Sequence, residues 1–394
     1  MIKTLDKQLI SQPTDVRFCT KCVVSNQRPR ITFNKDGVCS ACDYAHRKHY
    51  VIDWKKREKE LSALCARYRS KNGEFDVVVP GSGGKDSSYT AHILKTKYNM
   101  HPLVVTWAPF AYTDIGWKNF ENFIKSGFTV LNCFPDGKLH RKLARIAFEL
   151  KGDAWEPFAF GQKAYAFHIA VKWGIPLIFY GENGEVEYGG SLKNADVPHE
   201  SVYDWDKLYY KGAGVDRLLM EGKKMGLITP KEVKDRSFDF YRPPSKKEIE
   251  KLGVQMHWLS YYRKWVPQEN FYYAQKHTGF TANEEGRSEG TYSKYASLDD
   301  QTDGFHFYMA FIKFGIGRAT SDAAHEIRDG HITREEGVSL VKRYDGEFPK
   351  KYFREFLAYL NITENHFWKM VDSYRKPHLW KKVGGEWKLK HGIN

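Results

Sequence analysis

Two short runs hold residue types that can do chemistry. The first is Ser82-Gly83-Gly84-Lys85-Asp86-Ser87, preceded by Pro80-Gly81. Glycines let a backbone turn its N–H groups toward an anion, and the two serines add hydroxyl donors. Lys85 brings positive charge, and Asp86 can cap a helix or help hold Mg2+. This is equipment for a phosphate chain. The second run is the pair Cys19-Thr20-Lys21-Cys22 and Cys39-Ser40-Ala41-Cys42, with sixteen residues between. Each Cys-x2-Cys turn can aim two thiolates at one point, so the pair suits a tetrahedral four-sulfur Zn2+ site. Four cysteines leave no open position for a catalytic water, and the metal is expected to be structural. Disulfide-bonded or merely buried cysteines, or an iron–sulfur cluster, are the alternatives.

The elements around the first run decide how it is presented. Phe75-Asp76-Val77-Val78-Val79-Pro80 is a β-branched run typical of a buried parallel strand, and residues 85–97 have a helical pattern. Further apolar runs lie at 102–107, 128–132 and 175–180, separated by helical patterns at 115–126, 137–151 and 158–173. Such alternation predicts an α/β fold, a parallel sheet with helices on both faces, whose ligands sit beyond the strand C-termini. Upstream, residues 46–71 carry Trp54, Leu61, Leu64 and Tyr68 at helical spacing and read as one connecting helix. The expected organisation is a four-cysteine ribbon over 1–50, a nucleotide-binding domain over 51–245 and a mostly helical region over 246–394.

Ser82 to Ser87 is not a Walker A loop, because Lys85 is followed by Asp86 rather than Ser or Thr. The glycine spacing is also wrong for a dinucleotide fingerprint. The run resembles the PP-loop of the ATP pyrophosphatase superfamily (adenine nucleotide alpha hydrolase-like fold), which cleaves ATP to AMP and pyrophosphate. That resemblance implies ATP contacts from Pro80, Gly81, Ser82, Gly83, Gly84, Lys85, Asp86, Ser87 and Gly181, with Thr106 and Trp107 meeting adenine. It places Glu182, Asn183 and Glu185 at the reaction centre, on Mg2+ or substrate; a polar strand-end turn is the plain alternative.

Downstream the resemblance narrows. Gly181-Glu182-Asn183-Gly184-Glu185-Val186-Glu187-Tyr188-Gly189, Trp258-Leu259-Ser260-Tyr261-Tyr262, the stretch Gly290–Asp300 with Tyr292, and Phe311–Asp322 look like the N-acetyl sugar amidotransferases of the WbpG/PseA type. The likeness implies ATP-dependent conversion of an N-acetyl group on a nucleotide-linked sugar into an acetamidino group, through an O-adenylyl intermediate, for surface polysaccharide or nonulosonate. Arg318 is a candidate for a phosphate or adenylate contact, with a plain ion pair to Asp322 as the alternative; Asp322 is grouped with it as catalytic. Tyr261, Tyr262 and Tyr292 are candidate substrate contacts, although aromatic runs are more often core. Arg318, Asp322 and His325 can share one helix face.

The chain of 394 residues is globular in composition, with 41% hydrophobic and 15% aromatic residues, so a wholly disordered chain is excluded. Its net charge of +14 fits a polyanionic partner such as ATP and a sugar nucleotide. No Lys/Arg block is long enough for a dedicated nucleic-acid arm, and a nucleic-acid partner is not expected. Without an apolar leader or an 18-residue apolar run, a cytoplasmic address with no membrane insertion is expected. Cys65 and Cys133, the two cysteines outside the ribbon, lack the settings of a glutaminase nucleophile. Ammonia should therefore come from solution or from a partner, and the resemblance to the amidotransferases implies a glutaminase–synthase pair similar to that of histidine biosynthesis. A tRNA-thiolating PP-loop enzyme and a zinc-ribbon adaptor are the competing readings.

Overall fold

In the computed structural model, residues 4–394 are described except 203, 204 and 206–208. The apolar runs become β1 (Val77–Pro80), β2 (Pro102–Trp107), β3 (Thr129–Cys133) and β4 (Leu177–Tyr180); β5 (His199–Glu200) and β6 (Gln255–Trp258) complete the sheet. The order is β3-β2-β1-β4-β6-β5. Every pairing is parallel except β5 with β6. Neither β5, two residues long, nor β6, with Gln255 and His257 in a four-residue run, gives the apolar signal that marks the other strands.

The region expected as one helix over 46–71 is two, α1 (Ser40–Tyr50) and α2 (Trp54–Tyr68). Asp53 causes the break: its extended backbone starts a new helix, and its side chain accepts from the Lys56 N–H. The sheet helices follow as α3 (Lys85–Thr96), α4 (Asp114–Lys125), α5 (Gly137–Lys151) and α6 (Glu156–Trp173). Strand side chains alternate between faces. Val78, Leu103, Val105, Ile178 and Met256 pack with α5 and α6, while Val77, Val79, Val104, Leu177 and Phe179 pack with α2 and α3. The result is a three-layer sandwich with a mainly parallel sheet at its centre.

After β3, at one edge, the chain crosses back through α5 and α6 and inserts β4 on the far side of β1. The loops after β1 and β4 therefore leave the sheet in opposite senses and open a crevice between them, the usual place for a ligand in an open α/β sheet. The short α7 (Gly184–Tyr188) follows β4, and α8 (Pro267–Thr278) packs along α3.

The C-terminal region supplies α9 (Asp303–Phe314), α10 (Arg318–Arg328), α11 (Arg334–Tyr344), α12 (Phe353–Leu360) and α13 (Glu364–Ser373), then a hairpin of β7 (Trp380–Val383) and β8 (Glu386–Leu389). Its core is aromatic, with Phe305 stacked on Phe356 at 4.0 Å between centroids. The cluster also takes in Cys19, Cys22, Val23, Val24 and Cys39. The first forty residues and the last ninety are thus packed into one body. Among the described residues no helix is long and apolar enough to cross a membrane.

One close approach locks the C-terminal region to the sheet. A Cβ on Gly116 in α4 would lie 2.5 Å from the Cα of Asp299, so only glycine lets the 297–300 backbone rest on that helix. Gly116→Ala should therefore displace this segment and lower stability by about 1–3 kcal/mol. Urea unfolding checks it, and an unchanged midpoint would show that the segment yields freely.

Candidate functional site

The loop after β1 is held from below. The Gly81 N–H donates to Val105 O at 3.0 Å, and the Thr106 hydroxyl donates to Gly81 O. Gly83 has φ +81°, and a Cβ there would meet the Phe120 Cα at 2.7 Å, so the sharp turn requires glycine. Gly84 then caps α3 without any side-chain cap, leaving the first N–H groups of a twelve-residue helix directed into the crevice. The Ser87 hydroxyl donates to Gly84 O at 3.1 Å and fixes the turn from inside.

These groups line a cavity of about 430 Å³, within the range of small-molecule sites. Pro80, Gly81, Ser82, Gly84, Lys85, Asp86 and Ser87 form one wall; Gly181, Glu182, Asn183 and Glu185 form another. Tyr295 to Asp299 and Arg318 close the third side. Lys85 Nζ contacts the Asp86 carboxylate, whose other oxygen accepts from Asn270 Nδ2 at 3.1 Å. Burial and the nearby Asp86 charge push the Glu182 carboxyl up to about 7, Lys85 opposing them. Two carboxylates whose charges repel across a phosphate-shaped loop form a place where a divalent cation would relieve the repulsion.

The segment over the cavity is pinned at both ends. Asp300 accepts from the Phe110 N–H at 3.1 Å and from the Thr302 N–H at 2.7 Å. At the other end the Thr291 hydroxyl donates to Asp322 at 2.6 Å, and Asp322 pairs with Arg318 at 3.1 Å. Arg318 thus both pairs with Asp322 and reaches the cavity, while Asp322 serves as its anchor. Asp299 lies against the Ser82 hydroxyl, and burial raises its carboxyl above the ordinary range.

The structure gathers the loop, Gly181, Glu182, Asn183, Glu185 and Arg318 as the sequence led one to expect. Other candidates lie elsewhere. Thr106 supports the loop from beneath, and the Trp107 ring packs 5.2 Å from Tyr241 and 5.9 Å from Tyr165, outside the cavity lining. Tyr261 stacks under Arg57 at 3.4 Å, and the Tyr262 hydroxyl lies 2.8 Å from His257 Nδ1, because the short turn at 259–262 directs both toward α2. Tyr292 packs toward Tyr344. His325 is buried behind the Tyr188 ring, which keeps it neutral. Glu185 is engaged by Arg30, whose Nε donates to it at 2.8 Å.

The site also contains Asn119, Lys163 and Tyr209, which the sequence did not single out, and Trp258, Tyr295 and Asp299, which it marked only as parts of family-like runs. Lys163 had one available signal, a lone cation in the apolar stretch Phe158–Phe167.

The four cysteines meet as their spacing requires. Their sulfurs lie within 4.8 Å of one another, Cys19 to Cys42 at 3.8 Å and Cys22 to Cys39 at 3.7 Å. Tetrahedral Zn–S bonds of about 2.3 Å imply S···S edges of about 3.8 Å, so the donor set fits Zn2+. The Lys21 and Cys39 N–H groups each donate to Cys19 Sγ at 3.3 Å, and the Arg328 guanidinium lies beside Cys22, Cys39 and Cys42. Such neighbours offset the negative charge of four thiolates on one dication. From this centre α1 leads to Lys48, which is buried. Its Nζ meets Glu187 at 3.2 Å, Asp329 at 3.0 Å and Trp265 O at 2.9 Å, joining α1, α7 and α10.

Comparison with known proteins adds two findings. Residues 289–393 match the family model described as the C-terminal domain of WbpG-like LPS biosynthesis proteins. That span includes Tyr295 to Asp299 and Arg318, which line the cavity together with the Ser82–Ser87 loop. An uncharacterized protein of Methanocaldococcus jannaschii is 28% identical over 87 residues, which is 22% of this chain and 31% of that protein. The match therefore spans about a third of that relative's length.

Two outcomes follow from this geometry. Cys19→Ser or Cys42→Ser should lose bound zinc and lower the melting temperature together, by about 5 °C or more. Metal analysis beside a thermal melt checks this, and a zinc-free variant with an unchanged melt would contradict it. Glu182 keeps its proton up to about pH 7 in the folded chain but only to about 4.5 when unfolded. Its contribution to stability is thus present below pH 4.5 and declines as pH rises toward 7. Nucleotide-free Glu182→Gln should be more stable than the parent at pH 8, by about 1–3 kcal/mol, with a smaller gain at pH 5. Urea midpoints that shift equally at both pH values would refute the assignment.

Proposed function

We propose that this protein is an ATP-dependent amidotransferase that turns the N-acetyl group of a nucleotide-linked sugar into an acetamidino group during surface polysaccharide synthesis. One observation carries the reading: the Ser82–Ser87 loop and the WbpG-like segment line the same cavity, with Asp299 against the Ser82 hydroxyl. A nucleotide-handling element therefore meets the part of the chain that matches a polysaccharide-biosynthesis family.

An amide oxygen is a poor leaving group. ATP would convert it to an O-adenylyl imidate with loss of pyrophosphate, after which ammonia adds to the activated carbon and AMP departs. The residues act by positioning and charge stabilisation. Backbone N–H groups of the loop and the start of α3 would hold the pyrophosphate portion, with Ser82 and Ser87 beside them. Mg2+, where bound, would supply charge neutralisation between Asp86 and Glu182. Arg318, fixed by Asp322, would meet the adenylyl phosphate. The sugar nucleotide would approach along the side formed by Asn183, Glu185 and Tyr295.

A tRNA-thiolating reading would need a reactive cysteine at the loop. Cys65 is buried on the inner face of α2 and pushed up to about 12 by desolvation; Cys133 is pushed up to about 11 and lines a different groove. Buried thiols of this kind are poor nucleophiles. They serve no better as glutaminase centres, so the nitrogen would enter as ammonia, free or delivered by a partner glutaminase.

Asp86→Ala and Ser82→Ala are expected to reduce AMP formation at least 100-fold while the fold persists. Near-normal AMP release by either would remove the loop from the mechanism. The isolated protein should use ammonium salts, better as pH rises and free NH3 increases, and should ignore glutamine. Mass spectrometry of UDP- and CMP-linked N-acetyl sugars checks both points, since exchange of O for NH lowers the mass by about one unit. Label from glutamine reaching the sugar without a second protein would overturn the ammonia requirement.

A further inference from the structure

Lys163 projects from α6 toward the cavity, into a cage of three rings. Its Nζ lies 3.9 Å from the ring centroid of Tyr180, 4.5 Å from Trp258 and 4.6 Å from Tyr209. Tyr180 and Trp258 end the adjacent strands β4 and β6, so the sheet itself positions two of the walls. The same lysine lines the cavity with Glu182 and the phosphate loop. Among the described residues no carboxylate lies within ion-pairing distance of its Nζ; the acids that face it are Glu182 from the loop after β4 and Glu200 on β5. The Tyr209 hydroxyl donates to Glu200 at 2.9 Å, which occupies one of those acids.

We infer that Lys163 is the proton acceptor of the proposed reaction, its caged amine taking the proton from the nitrogen that adds to the activated carbon. The inference rests on the amidotransferase reading above. As ammonia attacks, its lone pair forms the C–N bond and the imidate C=N electrons move onto the substrate nitrogen. The new nitrogen carries a surplus proton, which passes to the Lys163 amine. The bond from carbon to the adenylyl oxygen then breaks, its electrons leave with AMP, and the acetamidino group remains. A proton acceptor here must be neutral before the step and comfortable as a cation after it. Removal from water pushes the amine down to about 8, against the pull of Glu200 and Glu182, so its neutral share grows as pH rises toward 8, and the ring faces stabilise the ammonium formed.

Glu182 lines the same space from the loop after β4. The other lining residues offer no equal. Lys85 is paired with Asp86 and Arg318 with Asp322.

Two measurements on the full chain test this. The first is amine acylation by acetic anhydride between pH 6 and 10, followed by peptide mass spectrometry. Lys163 should reach half-maximal reactivity near pH 8, below the amine of a free lysine derivative added as an internal standard, and ATP should slow its labelling. A midpoint equal to that of the standard, or no labelling at any pH, would overturn the inference. The second is AMP-forming turnover with free NH3 held constant across pH, for Lys163→Met and Lys163→Arg. Both should lose kcat by 100-fold or more while ATP affinity changes less than threefold, and the rise of kcat through pH 8 should vanish. Near-normal turnover in Lys163→Arg would mean that charge alone is needed; loss of ATP binding in Lys163→Met would assign the lysine to the nucleotide. Either result sinks the proton-acceptor role and leaves the amidotransferase reading standing. A wild-type chain that makes no AMP from any nucleotide sugar with ammonium would sink both.

Discussion

The buried ammonium of Lys48 holds the functional half of this protein together. It is enclosed with Glu187 and Asp329, and it also donates to Trp265 O. Burial opposes its charge, yet the two carboxylates outweigh that cost and raise its proton affinity. A cation so enclosed cannot lose a partner cheaply, because an unpaired buried charge costs several kcal/mol. The consequence is geometric. Lys48 belongs to the helix that starts at the second cysteine pair, Glu187 to the helix after β4, and Asp329 to the end of α10. The cysteine centre, the acidic loop of the cavity and the helix carrying Arg318 are therefore fixed relative to one another by a single residue.

This arrangement gives the four-cysteine centre a definite role without placing it at the chemistry. Its thiolates have no open position, and Arg328 beside them also donates to Glu187 O at 3.1 Å. The four-cysteine cluster at one end and an ion cluster in the middle let Glu182 hold its position despite repulsion by Asp86. Buried carboxylates that destabilise the resting fold need such support from elsewhere. The aromatic core of the C-terminal helices supplies the remainder, since it encloses the cysteine segment on its outer side.

Much of this was legible in the sequence, for reasons particular to each part. The strands at 77–80, 102–107 and 177–180 are buried on both faces, so their apolar runs are unbroken and easily read. The loop and the cysteine pairs are local, and short-range spacing fully encodes them. What escaped depends on distance along the chain. Lys163 becomes notable only when Tyr180, Tyr209 and Trp258 converge on it, and the contact of the Asp299 side chain with Ser82 only when Gly116 lets the 299 backbone approach α4. Tyr261 and Tyr262 show the reverse error: an aromatic run beside a strand end suggests a binding face, but a four-residue turn directs it to α2. Asp53, a single capping residue, divided a helix whose periodicity alone looked continuous.

The shared core of the first forty residues and the C-terminal helices bears on how the protein is made. The cysteine pairs are close in sequence and can capture metal as soon as they leave the ribosome. Their apolar outer surface, however, is covered by Phe305, Met309 and Ile312, which emerge roughly 260 residues later. At about 5–20 residues per second that interval lasts on the order of 10–50 s. During it Val23 and Val24 stand open to solvent, and the sheet assembles beside an unfinished neighbour. The nascent chain is thus a natural client for chaperones, and truncation from the C-terminus would expose a metal-bearing apolar face at the opposite end of the sequence.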